Sequence, residues 1–310
     1  MKKAIVFPGQ GSQTVGMGRA LFEEVPVARR VFEEADEALE FELSKLCFDG
    51  PEDELRLTAN TQPAILTVSV AAWRALEERG IKPDYVAGHS LGEYSALVAA
   101  GSLKFNDAVR AVRSRGLFMQ EAVPAGVGAM AALIGGRTEL VDEICREASE
   151  NGVCSPANLN SPNQTVIAGH SAAVQRAVEL AKSRGIKRAV LLSVSAPFHC
   201  ELMGPAAVRL KPVLDAIELG ALTVPLVTNV DAGFVNDGKE ARQCLLRQVA
   251  SPVRWRQSVE LLLSNGVTTF IEAGPGKVLS GLIGQISRDR QVLNVEDPRS
   301  LDATVAALER

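Results

Sequence analysis

Ser90 stands in Gly88-His89-Ser90-Leu91-Gly92, a G-x-S-x-G pattern between the apolar run Tyr85-Val86-Ala87 and a stretch rich in small residues (Ser95, Ala96, Ala99, Ala100). A sharp strand-to-helix turn of this kind projects a serine hydroxyl where it can act as a nucleophile. Glycines at both tight positions suit that turn, and Gly101 is placed to end the helix in a left-handed conformation. Ser90-Leu91-Gly92-Glu93 is also S-x-x-E, a capping box that would start any helix. Capping alone leaves the paired glycines without a purpose.

A serine nucleophile needs a base, and the chain has 3 histidines. His89 adjoins Ser90 on the turn, where the two side chains are expected to diverge. His170 opens a helix, where a capping or surface role is expected. His199 follows a strand and the stiff Ala196-Pro197 pair, which suits a side chain held at a strand end. Elimination selects His199 as the base; the plainer alternative is that it packs beneath Phe198. A second group is Arg115. At about 100° per residue, Ala108, Val112, Phe118 and Met119 define the apolar arc of a helix predicted to be capped by Asn106-Asp107. Arg115 projects within that arc, whereas Arg110 and Arg113 point away. A guanidinium on a buried face needs an anionic partner, either an internal carboxylate or the carboxylate of a ligand. The turn Pro8-Gly9-Gln10-Gly11 could hold an anion on its N–H groups or be only a turn. It lacks the G-K-[ST] ending of a P-loop, and Thr14 stands where a dinucleotide fingerprint needs glycine.

The elements that must position these groups alternate between strand and helix. Ala4 to Phe7 reads as a buried strand, followed by helices from about Met17, one opened by Pro26 and one by the P-E-D-E-L segment at Pro51. T-A-N-T-Q-P-A-I-L leads into a long helix ending near Gly80, buried in its first half. From about residue 125 to 196 the pattern becomes strand (129–134), helix (138–150), strand (153–159), strand (165–168), helix (171–184) and strand (188–194). That order is ferredoxin-like. Beyond it lie V-S-A-P-F-H, a helix, the strand L-T-V-P-L-V-T-N, the helix R-Q-C-L-L-R-Q-V and a last strand ending in E-A-G-P-G. The expected fold is α/β: a hydrolase-like body with a mostly parallel sheet (1–124 and 197–310) into which a ferredoxin-like small subdomain (125–196) is inserted.

At 310 residues, with a formal net charge of -4, the chain can bury a sizeable core and carries no basic footprint for nucleic acid. Its 5 cysteines are scattered without a C-x-x-C pair, which argues for a reducing compartment and against a disulfide framework or a metal site. The four-residue apolar run before Pro8 is too short for a signal peptide, and no run approaches the roughly 20 residues that span a bilayer. A cytoplasmic protein with no membrane contact is expected.

F-P-G-Q-G-S-Q, T-Q-P-A, G-H-S-L-G-E, R-S-R-G, N-S-P, the histidine after the small-subdomain strand, S-P-V-R-W and E-A-G-P-G follow one another along the chain. In that order they resemble the malonyl-coenzyme A:acyl carrier protein transacylase family of bacterial fatty acid synthesis, over essentially the whole chain. The resemblance implies malonyl transfer from malonyl-coenzyme A to the phosphopantetheine thiol of acyl carrier protein, with no permanent cofactor and no metal, by a monomer. It implies Ser90 as the acylated nucleophile and His199 as its base, oriented by a backbone carbonyl at the position of Gln248. The Gln10 and Leu91 N–H groups match the oxyanion hole, and Arg115 matches the arginine that grips the malonyl carboxylate. Gln62 and Asn160 match residues near the pocket, and Phe198 resembles malonyl-selective relatives. An α/β-hydrolase esterase would share the serine turn, but it carries an H-G-G-G-type loop that is missing here and would leave Arg115 without a purpose. Retention of Ser90, His199 and Arg115 together speaks against a non-catalytic carrier-binding subunit.

Overall fold

A computed structural model describes residues 2–192, 194 and 196–309. Ser193 and Ser195, which fall in the expected 188–194 strand and in V-S-A-P-F-H, lie outside the described residues. Among the described residues the strands run β1 (Lys2–Phe7), β2 (Tyr85–Gly88), β3 (Gly128–Ile134), β4 (Cys154–Ser161), β5 (Gln164–His170), β6 (Arg188–Leu191), β7 (Leu226–Val227), β8 (Phe234–Val235), β9 (Val267–Ala273) and β10 (Gln291–Val295).

The larger sheet has the order β10-β9-β1-β2-β7-β8, parallel except for the edge strand β8. Ala4 to Phe7 of β1 are buried on both faces, which is why that strand reads as an unbroken apolar run. One face packs on helices Pro26–Leu39, Thr58–Glu78 and Phe105–Glu121. The other packs on Trp255–Ser264 and Val278–Ile286. The smaller sheet, β4-β5-β3-β6, is antiparallel and builds a separate core with helices Thr138–Ala148 and Ser171–Ser183. The two sheets meet at the S-P-V-R-W motif. Val253 bridges Asn158, donating its N–H to Ala157 O at 2.8 Å and accepting from Leu159 N–H at 2.9 Å.

Several expectations are corrected. The helix carrying Arg115 starts at Phe105 after Lys104, with no side-chain cap from Asn106 or Asp107. The first helix begins at Arg19, within two residues of the expected start. The strand expected in L-T-V-P-L-V-T-N shrinks to Leu226–Val227, since Pro225 lacks an N–H and the chain turns back at once into β8. The strand ending in E-A-G-P-G is not the last: β10 follows, and its half-polar Q-V-L-N-V edge sequence hid it. The long helix is buried through to Leu76, well past its first half.

β1 and β2 lie side by side in parallel, with Phe7 opposite Gly88. The Gln10 turn and Ser90 therefore both emerge beyond the carboxyl ends of neighbouring strands, where open α/β sheets place their ligands.

Candidate active site

Two glycines make the serine turn possible. A Cβ on Gly88 would lie 1.9 Å from the Gly92 backbone, and one on Gly92 would lie 2.2 Å from Phe7 O. No side chain fits either gap. Between them Ser90 takes φ 52°, a left-handed conformation that costs a non-glycine residue about 1–3 kcal/mol and clusters at functional sites. His199 shares it, at φ 60°. The capping-box reading fails here, because neither Ser90 nor Glu93 caps the Gly92–Ala99 helix. The hydroxyl of Ser90 faces His199 instead, at 2.8 Å from Nε2.

The tautomer of His199 follows from its other nitrogen. Nδ1 lies 2.9 Å from the Gln248 carbonyl oxygen, which can only accept, so Nδ1 carries the proton and Nε2 offers its lone pair to the serine. Gln248 ends the Gly238–Gln248 helix, where carbonyls lack helical partners and the dipole favours a nearby cation. That carbonyl therefore orients the imidazole and stabilises its protonated form. Burial, then the charge of Arg115, holds His199 down to about 3, so the free protein keeps it neutral at ordinary pH.

Arg115 is 1% exposed and pairs with no carboxylate among the described residues. Its Nη1 donates to Gln62 Oε1 at 2.8 Å, and its Nη2 to Gln248 Oε1 at 2.8 Å and Ser90 Oγ at 3.1 Å. Its Nε has no partner among the described residues. The helix arc behaves as expected. Arg110 reaches out to Ala38 O, and Arg113 lies half-buried over Phe41.

These groups border a cavity of about 110 Å³, enough for a short acyl chain, whose walls include Gln10, Leu91, Met119 and Phe198. The backbone N–H groups of Gln10 and Leu91 donate to no acceptor among the described residues. The Gln10 side chain reaches Thr58 Oγ1 at 3.3 Å. A larger cleft of about 990 Å³ runs from His199 and Cys200 along β4 and past Arg254, wide enough to admit a long flexible arm.

His89 lines the cavity and Asn160 stands one step behind it. His89 Nε2 lies 2.9 Å from Asn160 Oδ1 and its ring tilts against Trp255, so it diverges from Ser90 as expected. Asn158, not Asn160, borders the cavity. His170 offers no side-chain cap: its Nδ1 accepts the Val153 N–H at 2.9 Å. Sequence reasoning passed over Asn229, whose Oδ1 accepts the Ser90 N–H at 2.7 Å and whose Nδ2 donates to Gly88 O at 2.6 Å. Nothing in V-T-N-V marks it. Glu93 was visible only as half of a capping box.

Fold and site together define an α/β protein in which a serine hydroxyl, an imidazole and a guanidinium meet beside a small cavity. The chain belongs to the acyl transferase domain family, whose model matches residues 4–300. It is 52% identical over 308 residues to a malonyl CoA-acyl carrier protein transacylase of Bacillus subtilis, covering 99% of this chain and 97% of that one. The same enzyme from Coxiella burnetii superposes with a TM-score of 0.98 at 43% identity, over 100% of this chain and 98% of that chain. A type II PKS acyl-carrier protein in complex with its malonyl-transacylase matches with a TM-score of 0.97 at 46% identity, covering 99% of this chain and 100% of that one.

Proposed function

We propose that this acyltransferase moves the malonyl group from malonyl-coenzyme A to the phosphopantetheine thiol of holo-acyl carrier protein, through a malonyl ester on Ser90. The observation that carries this reading is Arg115, a buried cation without a carboxylate partner among the described residues, 3.1 Å from the Ser90 hydroxyl. A malonyl thioester brings its own carboxylate, which can pair with the guanidinium where no described carboxylate of the protein does, Nε still being free of a partner among the described residues.

In the first half-reaction His199 Nε2 takes the Ser90 proton as Oγ attacks the thioester carbonyl. The Gln10 and Leu91 N–H groups, with the Gly92–Ala99 helix behind Leu91, receive the developing oxyanion. Collapse of the tetrahedral intermediate expels coenzyme A, which leaves with the proton held by His199. In the second half the phosphopantetheine thiol enters, gives its proton to His199 and attacks the ester. The proton then returns to Ser90 Oγ. The 990 Å³ cleft that ends at His199 suits the entry of each thiol-bearing arm.

The strand order β4-β5-β3-β6 and its separate core support a ferredoxin-like subdomain over about 125–196, inserted into a hydrolase-like body of 1–124 and 197–310. Initial rates with both substrates varied test the mechanism. Parallel double-reciprocal lines and malonyl-acyl carrier protein as product are expected. Free malonate and coenzyme A as the only products would make the protein an esterase.

A further inference from the structure

One buried carboxylate stands behind the site without touching the acyl cavity. Glu93 is 0% exposed; its Oε2 accepts the Asn229 N–H at 2.8 Å and Gln248 Nε2 at 2.9 Å. Its Oε1 has no partner among the described residues. The side-chain amide of Gln248 sits between Glu93 and Arg115. Its Nε2 donates toward Glu93 Oε2, Ser90 O at 3.1 Å and Asn229 Oδ1 at 3.4 Å, while its Oε1 accepts from Arg115 Nη2.

The two ends of a primary amide have nearly the same shape, so its partners alone decide which end faces where. A flipped Gln248 would set NH₂ against the guanidinium, donor to donor, and its carbonyl against the carboxylate, acceptor to acceptor. Among the acceptors around Nε2, the Glu93 oxygen lies nearest, at 2.9 Å. We propose that Glu93 is a positioning residue for malonyl selection: it holds the Gln248 amide with its oxygen toward Arg115 and so aims the guanidinium fork into the acyl cavity. This rests on the functional reading above. The carbonyl that orients His199 belongs to the Gln248 backbone and is fixed by its helix, not by the amide. Loss of Glu93 can weaken the support of Ser90 through Asn229 for every substrate, but it falls harder on substrates with a carboxylate than on neutral acyl groups, and the ratio of the two isolates that part.

The test measures kcat/KM for malonyl and acetyl transfer to holo-acyl carrier protein in the wild type and three variants. In Glu93→Gln the amide oxygen can accept both N–H groups while its nitrogen takes the place of the unpartnered Oε1. Its malonyl-to-acetyl ratio should stay within about three-fold of wild type, whereas Glu93→Met, of similar size but without an acceptor, should lower it about ten-fold or more. Glu93→Asp keeps the charge but falls short of Gln248, and it should lower the ratio too. It decides the matter if the Met variant does not fold. An unchanged ratio in folded Asp or Met variants overturns the proposal, because a purely structural role would lower stability and leave the ratio alone. A Gln ratio as low as that of Met also overturns it, since charge and not amide orientation would then be at work. Absence of malonyl transfer by the wild type would instead overturn the functional reading.

Discussion

Replacing Arg115 by alanine separates recognition of the malonyl carboxylate from the acyl chemistry. The side chain is almost wholly buried; its Nη2 lies 3.1 Å from Ser90 Oγ and its Nη1 donates to Gln62 on the wall of the same cavity. A charge-assisted contact with a buried carboxylate, broken on one side, costs about 2–5 kcal/mol. At about 1.36 kcal/mol per decade that is a loss of roughly 30- to 5,000-fold in kcat/KM for malonyl transfer. Acetyl transfer never makes the contact. It should hold or rise, because after burial the Arg115 charge is the next cause depressing His199, and removing that charge leaves a stronger base. Arg115→Lys should recover part of the malonyl rate, since an ammonium cannot reproduce the planar fork. Transfer to holo-acyl carrier protein, followed with malonyl- and acetyl-coenzyme A at one pH, gives the ratio. A ratio in the Ala variant equal to wild type would refute the assignment and return Arg115 to a structural role.

His199→Ala should slow both half-reactions, measured separately as coenzyme A release and carrier loading, by at least about 100-fold. His170→Ala should leave both near wild type, because the His170 ring, at the far side of the larger cleft, accepts the Val153 N–H and does not border the acyl cavity; the opposite pattern would mean that the wrong histidine carries the base. Burial pushes the Glu93 carboxyl up to about 7, against the pull of Arg115 and of its two hydrogen bonds and with a small contribution from Asp231 in the same direction. A carboxyl raised on folding stabilises the protein fully below its unfolded value and loses that stabilisation as pH rises through the folded one. Between about pH 5.5 and about pH 8.5 wild type should therefore lose about 2 kcal/mol, or about 3 °C in Tm, relative to Glu93→Gln. Parallel Tm profiles for the two proteins would show that Glu93 stays ionised throughout.

The serine turn was legible because steric demand writes itself into sequence: only glycine fits at 88 and 92, and the apolar strand before them is short and unbroken. Arg115 was legible because helix periodicity places a charge on an apolar arc. His199 followed from there being so few histidines and from the stiff Ala196-Pro197 pair before it. The charged and polar network behind the site was not legible. Glu93 looks like a helix cap, yet it reaches across to Asn229 and Gln248, over a hundred residues away in sequence. Such contacts depend on how the Gly92–Ala99 and Gly238–Gln248 helices are set against β2 and β7, which no periodicity encodes. The same holds for the seam at Val253, where a bridge to Asn158 fixes one sheet on the other. Strand ends failed where pairing, not composition, decides them: β7 keeps only Leu226 and Val227 of L-T-V-P-L-V-T-N, and β10 exists because β9 offers it an edge.

In the mechanism proposed above, Ser90 becomes a malonyl ester. Intact-mass measurement after mixing with malonyl-coenzyme A, without carrier protein, tests it most directly. The wild type should gain the mass of one malonyl group, localised by peptide mapping to Ser90, and lose it when holo-acyl carrier protein is added. Ser90→Ala should remain folded, gain nothing and transfer nothing. An adduct that persists in Ser90→Ala, or transfer near the wild-type rate by that variant, would contradict the account.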